Sequence, residues 1–148
     1  DNAGSVSAFV AKMNTRAKEL GCKDTLFINP NGLPPVGDQP DPYSTAIDLA
    51  RIAVACDKLT DIREMVKLKS YFFVKPDGKK IPLENTNRVL RSSEFCDGMK
   101  TGFTNAAGYC LVASGQKEGR RRIVIILNGS RDGVWRDAQS LLEWSLKS

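Results

Sequence analysis

The chain has 148 residues, 41% of them hydrophobic and 26% charged, which suits one ordinary domain with a single core. No apolar run approaches the roughly 18–20 residues that a membrane-spanning helix needs, and the opening DNAGSVSAFV lacks the basic start and apolar centre of a signal peptide, so any export signal is expected to have been removed or to lie outside the chain. The net charge of +5 is mild, and despite a pI of about 9.1 there is no clustered basic face with interleaved aromatics, so nucleic acid is not an expected partner.

From Ser5 to Leu20, the residues Val6, Phe9, Val10, Met13, Ala17 and Leu20 recur at helical steps and predict an amphipathic helix, with Gly21 as its stop. Its start is expected to be abrupt and uncapped. The next stretch, TLFINPNGLPPVGDQPDPYS, holds five of the seven prolines and reads as a rigid, irregular surface loop. Thr45 and Asp48 have capping-box spacing before the apolar run LARIAVAC, which predicts a second helix. A short third helix is expected over TDIREMV.

The second half changes character. KSYFFV and KKIPLEN flank KPDG, where Asp77-Gly78 is a strong hairpin signal. Cys96-Asp97-Gly98 reads as a turn, Met99–Phe103 as a strand, and TNAA as the turn into GYCLVASG. QKEGR then leads to RRIVIILNG, and the triplet Arg120–Arg122 is read as solvated charge at a hairpin turn. The closing VWRDAQSLLEWSLKS puts Val134, Ala138, Leu141, Leu142 and Ser145 on one helical face, with Trp135 and Trp144 near it. Helices first, an antiparallel meander next and a final helix predict an α+β fold, an antiparallel sheet flanked by helices, over a single domain 1–148.

There is no histidine, and Cys22, Cys56, Cys96 and Cys110 form no Cys-x-x-Cys pair, so neither a metal site nor any other cofactor is expected. Cys56 and Cys110 lie in apolar runs and read as small buried residues, while a disulfide stays open, so the cysteines fix no redox compartment.

Chemistry concentrates at Lys100-Thr101-Gly102. On a strand, Lys100 and Gly102 face one way and Met99, Thr101 and Phe103 the other, unless a twist or bulge redirects them. Lysine offers a positive charge and threonine a hydroxyl that can bind a carboxylate. Glycine removes the side chain that would block a ligand lying along the edge, where an extended peptide can add as a further strand. The set suits a peptide-like substrate with a terminal carboxylate.

Beyond these residues, the chain resembles the serine D-alanyl-D-alanine carboxypeptidases, the low-molecular-weight penicillin-binding proteins. The resemblance runs through AFVAKMNTRAKELGCKDTLFINPNGL, YSTAIDLARIA, NTNRVL, DGMKTGFTNAAGYCLVAS and LLEW, and its most specific parts are the block around Lys100 and the Asn-Pro-Asn-Gly-Leu loop. It implies a penicillin-binding-protein/β-lactamase-like transpeptidase fold with helices on both sides of a five-stranded antiparallel sheet. It implies that Lys100, Thr101, Gly102 and Thr104 bind substrate, that Lys100 helps proton transfer, and that the Phe103 backbone N–H joins the oxyanion hole. The implied partners are peptidoglycan stem peptides ending in D-Ala-D-Ala and β-lactam antibiotics, in the periplasm or at the cell surface.

The departures shape a further expectation. None of the chain's serines, Ser114 included, is expected to stand at Ser-x-x-Lys spacing, and no Ser-x-Asn occurs. The chain is therefore expected to be the C-terminal part of a catalytic domain, with the N-terminal portion missing and its catalytic motifs supplied by a preceding segment or a second chain. Family members often carry an arginine where Val134 stands, with Arg131 and Arg136 nearby. The alternative reading is a truncated, non-catalytic penicillin-binding-like module that binds peptidoglycan peptide or a partner chain.

Overall fold

The computed structural model describes residues 4–147. They fall into two compact units, residues 1–55 and residues 56–148.

In the first unit, α1 (Val6–Glu19) is capped after all: the Ser5 side chain accepts the Ala8 N–H at 3.1 Å. The expected uncapped start is thus corrected. At the other end the chain leaves through Gly21, whose φ of +81° is the left-handed conformation that only glycine adopts without strain. Asn14 then anchors the following loop, its amide exchanging two hydrogen bonds with the backbone of Phe27. The Asn-Pro-Asn-Gly-Leu loop is tied by its own asparagines: Asn29 accepts from the Gly32 N–H, and Asn31 from the Leu33 N–H.

Only half of the capping box forms at α2 (Ala46–Asp57). Thr45 Oγ1 accepts the Asp48 N–H at 3.2 Å, but the Asp48 carboxylate does not turn back to Thr45. Buried, it accepts from the Asp24 N–H, the Thr25 hydroxyl and Arg51 instead. Burial opposes its ionisation, but those three donors outweigh burial and hold its carboxyl below the usual aspartate range.

In the second unit, α3 (Thr60–Val66) lies where the sequence placed it. Strands β1 (Ser70–Val74) and β2 (Lys80–Glu84) pair as an antiparallel hairpin. Its turn has Pro76 and Asp77 at the centre, and the Gly78 N–H bonds the Lys75 carbonyl at 2.9 Å. After the single-turn helix α4 (Val89–Ser92) come β3 (Cys96–Thr104), β4 (Gly108–Lys117) and β5 (Arg120–Gly129), a meander in the order β3-β4-β5. Of the five strands that the resemblance implies for one sheet, the described residues supply these three.

Two local details differ from the sequence reading. Cys96-Asp97-Gly98 is the start of β3 rather than a turn, because a bulge at Asp97 separates the pairs Cys96↔Gly115 and Gly98↔Ser114. The β4–β5 connection is a tight turn of Glu118 and Gly119, both with positive φ, so the arginine triplet lies inside β5.

Helix α5 (Gly133–Lys147) packs on β4 and β5 and closes the core. Val134, Ala138, Leu142 and Leu146 are buried with Val89, Leu90, Cys96, Leu111 and Ala113, while Leu141, expected inside, is exposed. Gly115 permits the close approach at this layer, since a Cβ there would come within 2.5 Å of the Phe95 carbonyl oxygen. All four cysteines are free, and the buried ones are Cys22 and Cys96 rather than Cys56 and Cys110.

Candidate active site

Lys100, Thr101 and Gly102 lie in the middle of β3, paired with Val112, Leu111 and Cys110 of β4. Among the described residues β4 is the only strand beside β3, so the opposite edge of the triplet is open. A Cβ added at Gly102 would meet nothing within 4 Å, so a ligand has room there. The Lys100 side chain is exposed, and its ammonium donates to the Thr101 carbonyl oxygen. Thr101 Oγ1 lies 2.6 Å from Thr86 Oγ1. The Phe103 ring stacks beside Tyr109, centroids 4.3 Å apart. Thr104 Oγ1 accepts the Ala107 N–H at 3.0 Å, which fixes the turn and leaves its own proton free to donate.

Two supports behind the strand were not read from the sequence. One is the Asn85-Thr86-Asn87 turn. Asn87 is buried; its Nδ2 donates to the Gly98 carbonyl at 2.9 Å and its Oδ1 accepts the Val89 N–H at 3.1 Å. Asn85 accepts the Asn87 N–H and donates to the carbonyls of Val66 and Leu68. Two asparagines so close before a short helix are a usable signal for such a clasp. The other support is ionic. Arg121 Nη1 donates to Asp97 at 2.6 Å, and the same guanidinium pairs with Asp57. Its bonds to Asp57 come first among the causes that hold this cation even more firmly protonated than usual. Arg122 donates to the Ser145 carbonyl at 3.1 Å. The arginine triplet is therefore no solvated turn: two of its members tie β5 to its surroundings.

One expectation about the serines is corrected here. Ser114-Gly115-Gln116-Lys117 does have Ser-x-x-Lys spacing. On a strand, however, residues three apart face opposite sides. Ser114 is fully buried and donates to Asp97 at 2.7 Å, whereas the Lys117 ammonium sits 5.3 Å from the Phe95 ring centroid. The spacing is present without a nucleophile and base in contact. Cys96 is buried, burial pushes its thiol pKa up, and its Sγ donates to the Gly98 carbonyl. Val134 is buried in the core, while Arg131 and Arg136 are exposed beside it.

An open strand edge with a cation and a hydroxyl can hold an extended peptide by its carboxylate. The model of a family described as D-alanyl-D-alanine carboxypeptidase matches residues 1–131. The chain belongs to the D-alanyl-D-alanine carboxypeptidase family. It is 40% identical to the carboxypeptidase DacF of Bacillus subtilis over 86% of this chain and 32% of that protein. With DacC of Escherichia coli it shares 37% over 98% of this chain and 35% of the other. The chain thus spans about a third of the length of these relatives.

Solved structures agree. A D-alanyl-D-alanine carboxypeptidase from Mycobacterium tuberculosis superposes with a TM-score of 0.88 at 29% identity, over 99% of this chain and 56% of that one. The S216A mutant of the Streptomyces K15 DD-transpeptidase gives 0.86 at 31%, over 97% and 56%. Penicillin-binding protein D2 of Listeria monocytogenes, solved in its cefotaxime-bound form, gives 0.79 at 30%, over 95% and 55%. The α+β transpeptidase fold expected from the sequence is the fold of this carboxypeptidase family. No described helix is long and apolar enough to cross a membrane, and no described group of His, Cys, Asp or Glu could hold a metal ion.

Proposed function

We propose that residues 1–148 form one domain part, the Lys-Thr-Gly side of the active site of a serine-type D-Ala-D-Ala carboxypeptidase that acts on peptidoglycan stem peptides outside the cytoplasm. The observation that carries this reading is the free edge of β3, where Lys100 and Thr101 are exposed or half-buried and Gly102 opens onto empty space. The substrate lies along this edge. Its terminal carboxylate meets the Lys100 charge and the Thr101 hydroxyl, a charge-assisted contact of the stronger kind. Thr104 binds the peptide further along.

The reaction is acyl transfer. A serine oxygen attacks the carbonyl carbon of the D-Ala–D-Ala bond, and the Phe103 N–H helps hold the resulting oxyanion. The C–N bond breaks, the leaving D-alanine takes a proton through the site's lysines, and water then releases the acyl group. Ser114 is fully buried and spends its hydroxyl on Asp97 on the strand face opposite Lys117, so the nucleophile and its lysine come from outside residues 1–148. β-Lactams acylate the same serine with their carboxylate on the same edge.

The test compares two proteins. A fluorescent penicillin should label the full-length gene product covalently and should not label the isolated 148-residue chain, and the former should release D-alanine from a peptide ending in D-Ala-D-Ala. A label on the isolated chain would require a nucleophile within it. A full-length product that neither labels nor releases D-alanine would favour the non-catalytic module.

A further inference from the structure

Thr86 stands outside the Lys-Thr-Gly triplet, yet its hydroxyl is placed to govern it. Thr86 Oγ1 lies 2.6 Å from Thr101 Oγ1 in an exposed position, reachable by a ligand on β3. Each of these hydroxyls carries one hydrogen and can rotate among staggered positions. Two senses of the bond are therefore open. If Thr101 donates to Thr86, its oxygen turns only lone pairs outward, and these repel a carboxylate. If Thr86 donates, the Thr101 proton is free for the ligand, and the two bonds in series polarise and strengthen each other.

The geometry of Thr86 is not left to chance. Its neighbours are fixed on both sides: Asn85 Nδ2 donates to the Leu68 carbonyl at 2.9 Å, and Asn87 Nδ2 donates to the Gly98 carbonyl at 2.9 Å. The second bond ties the turn to β3 itself, two residues before Lys100. The Thr86–Thr101 spacing is thus held by the strand that carries the triplet.

We infer that Thr86 is a positioning residue for carboxylate recognition: its hydroxyl donates to Thr101 Oγ1 and aims the Thr101 proton at the terminal carboxylate of a substrate or β-lactam. This rests on the carboxypeptidase reading above. It adds a residue outside the triplet and assigns the direction of a bond.

The test is steady-state release of D-alanine from a D-Ala-D-Ala peptide by the full-length gene product and four variants: Thr86→Val, Thr86→Ser, Thr101→Val and the double Val variant. Thr86→Val keeps the shape and removes the proton, so KM should rise about three- to tenfold, the scale of one neutral hydrogen bond, with kcat within about twofold. Thr86→Ser should restore the wild-type KM. In the Thr101→Val background, Thr86→Val should cost nothing further. A residue with a merely structural role would lower the melting temperature, and its cost would be the same in both backgrounds. An unchanged KM, equal costs in the two backgrounds, or a serine variant no better than valine overturns the inference. Failure of the underlying reading looks different: the wild type releases no D-alanine, and the inference falls with it.

Discussion

Asn87→Leu is the perturbation that most directly tests how the Lys-Thr-Gly strand is held. The two side chains have similar shape, but leucine neither donates nor accepts. Both in buried residues, the Val89 N–H would lose its side-chain acceptor and the Gly98 carbonyl would keep only the weak Cys96 thiol donor. Each buried group left unsatisfied costs about 1–3 kcal/mol, and the added apolar burial of leucine returns about 1–2 kcal/mol. At mid-range values, about 4 kcal/mol lost against about 1.5 kcal/mol returned, a net loss of about 2–3 kcal/mol follows. For a chain of 148 residues, at roughly 2–4 °C per kcal/mol, the melting temperature should fall by about 4–12 °C. Urea unfolding followed by circular dichroism gives the free energy, and an unchanged m-value confirms that the native state is intact. Asn87→Asp should be at least as damaging, because it sets a carboxylate against the Gly98 carbonyl. A loss below about 0.5 kcal/mol for the leucine variant would refute the assignment of Asn87 as the clasp on β3.

Arg121→Met should destabilise by about 2–4 kcal/mol, less than a fully buried pair would lose, because the side chains of Arg121, Asp57 and Asp97 are 20%, 14% and 33% exposed; restoring charge balance with Asp57→Asn in the same chain should recover part of it in the same unfolding assay. Asp48 has its carboxyl held below the usual range, so its stabilising effect is present above the unfolded value of about 3.9 and is lost as pH falls through the lower folded value; Asp48→Asn should lose that acid-side dependence in unfolding curves measured from pH 2 to 6. If the full-length gene product releases D-alanine as proposed, Lys100→Ala should cut kcat/KM by roughly 10- to 150-fold, the scale of one charge-assisted contact of about 1.5–3 kcal/mol. Lys75→Ala, at the exposed hairpin tip, should leave kcat/KM unchanged.

Elements whose pattern is local were legible in the sequence. Seven residues, TDIREMV, form α3 as read, and Pro76-Asp77-Gly78 turns the hairpin because its residues suit that turn by themselves. Where partners come from far along the chain, the reading failed. Arg121 looks like any surface arginine until the fold brings Asp57 and Asp97 to it. Leu141 shares the apolar period of α5, but only the position of β4 and β5 decides that Leu146 joins Leu142 inside while Leu141 stays out. The proposed Lys-Thr-Gly site could be picked out because three adjacent residues carry it. Its supports, Asn87 and Thr86, could not, since nothing in Asn-Thr-Asn says which strand it will clasp. The spacing of Ser114 to Lys117 went unread; it mimics a catalytic pair, and strand geometry takes the two apart.

The open edge of β3 is proposed to hold the ligand carboxylate. A crystal structure of the full-length protein acylated by cefotaxime tests it directly. The account predicts the antibiotic alongside Gly102, its carboxylate at a hydrogen-bonding distance of roughly 2.6–3.2 Å from Thr101 Oγ1 and beside the Lys100 ammonium, with the acyl carbonyl oxygen on the Phe103 N–H. An acyl group whose carboxylate lies away from Lys100 and Thr101, with β3 left uncovered, would contradict it.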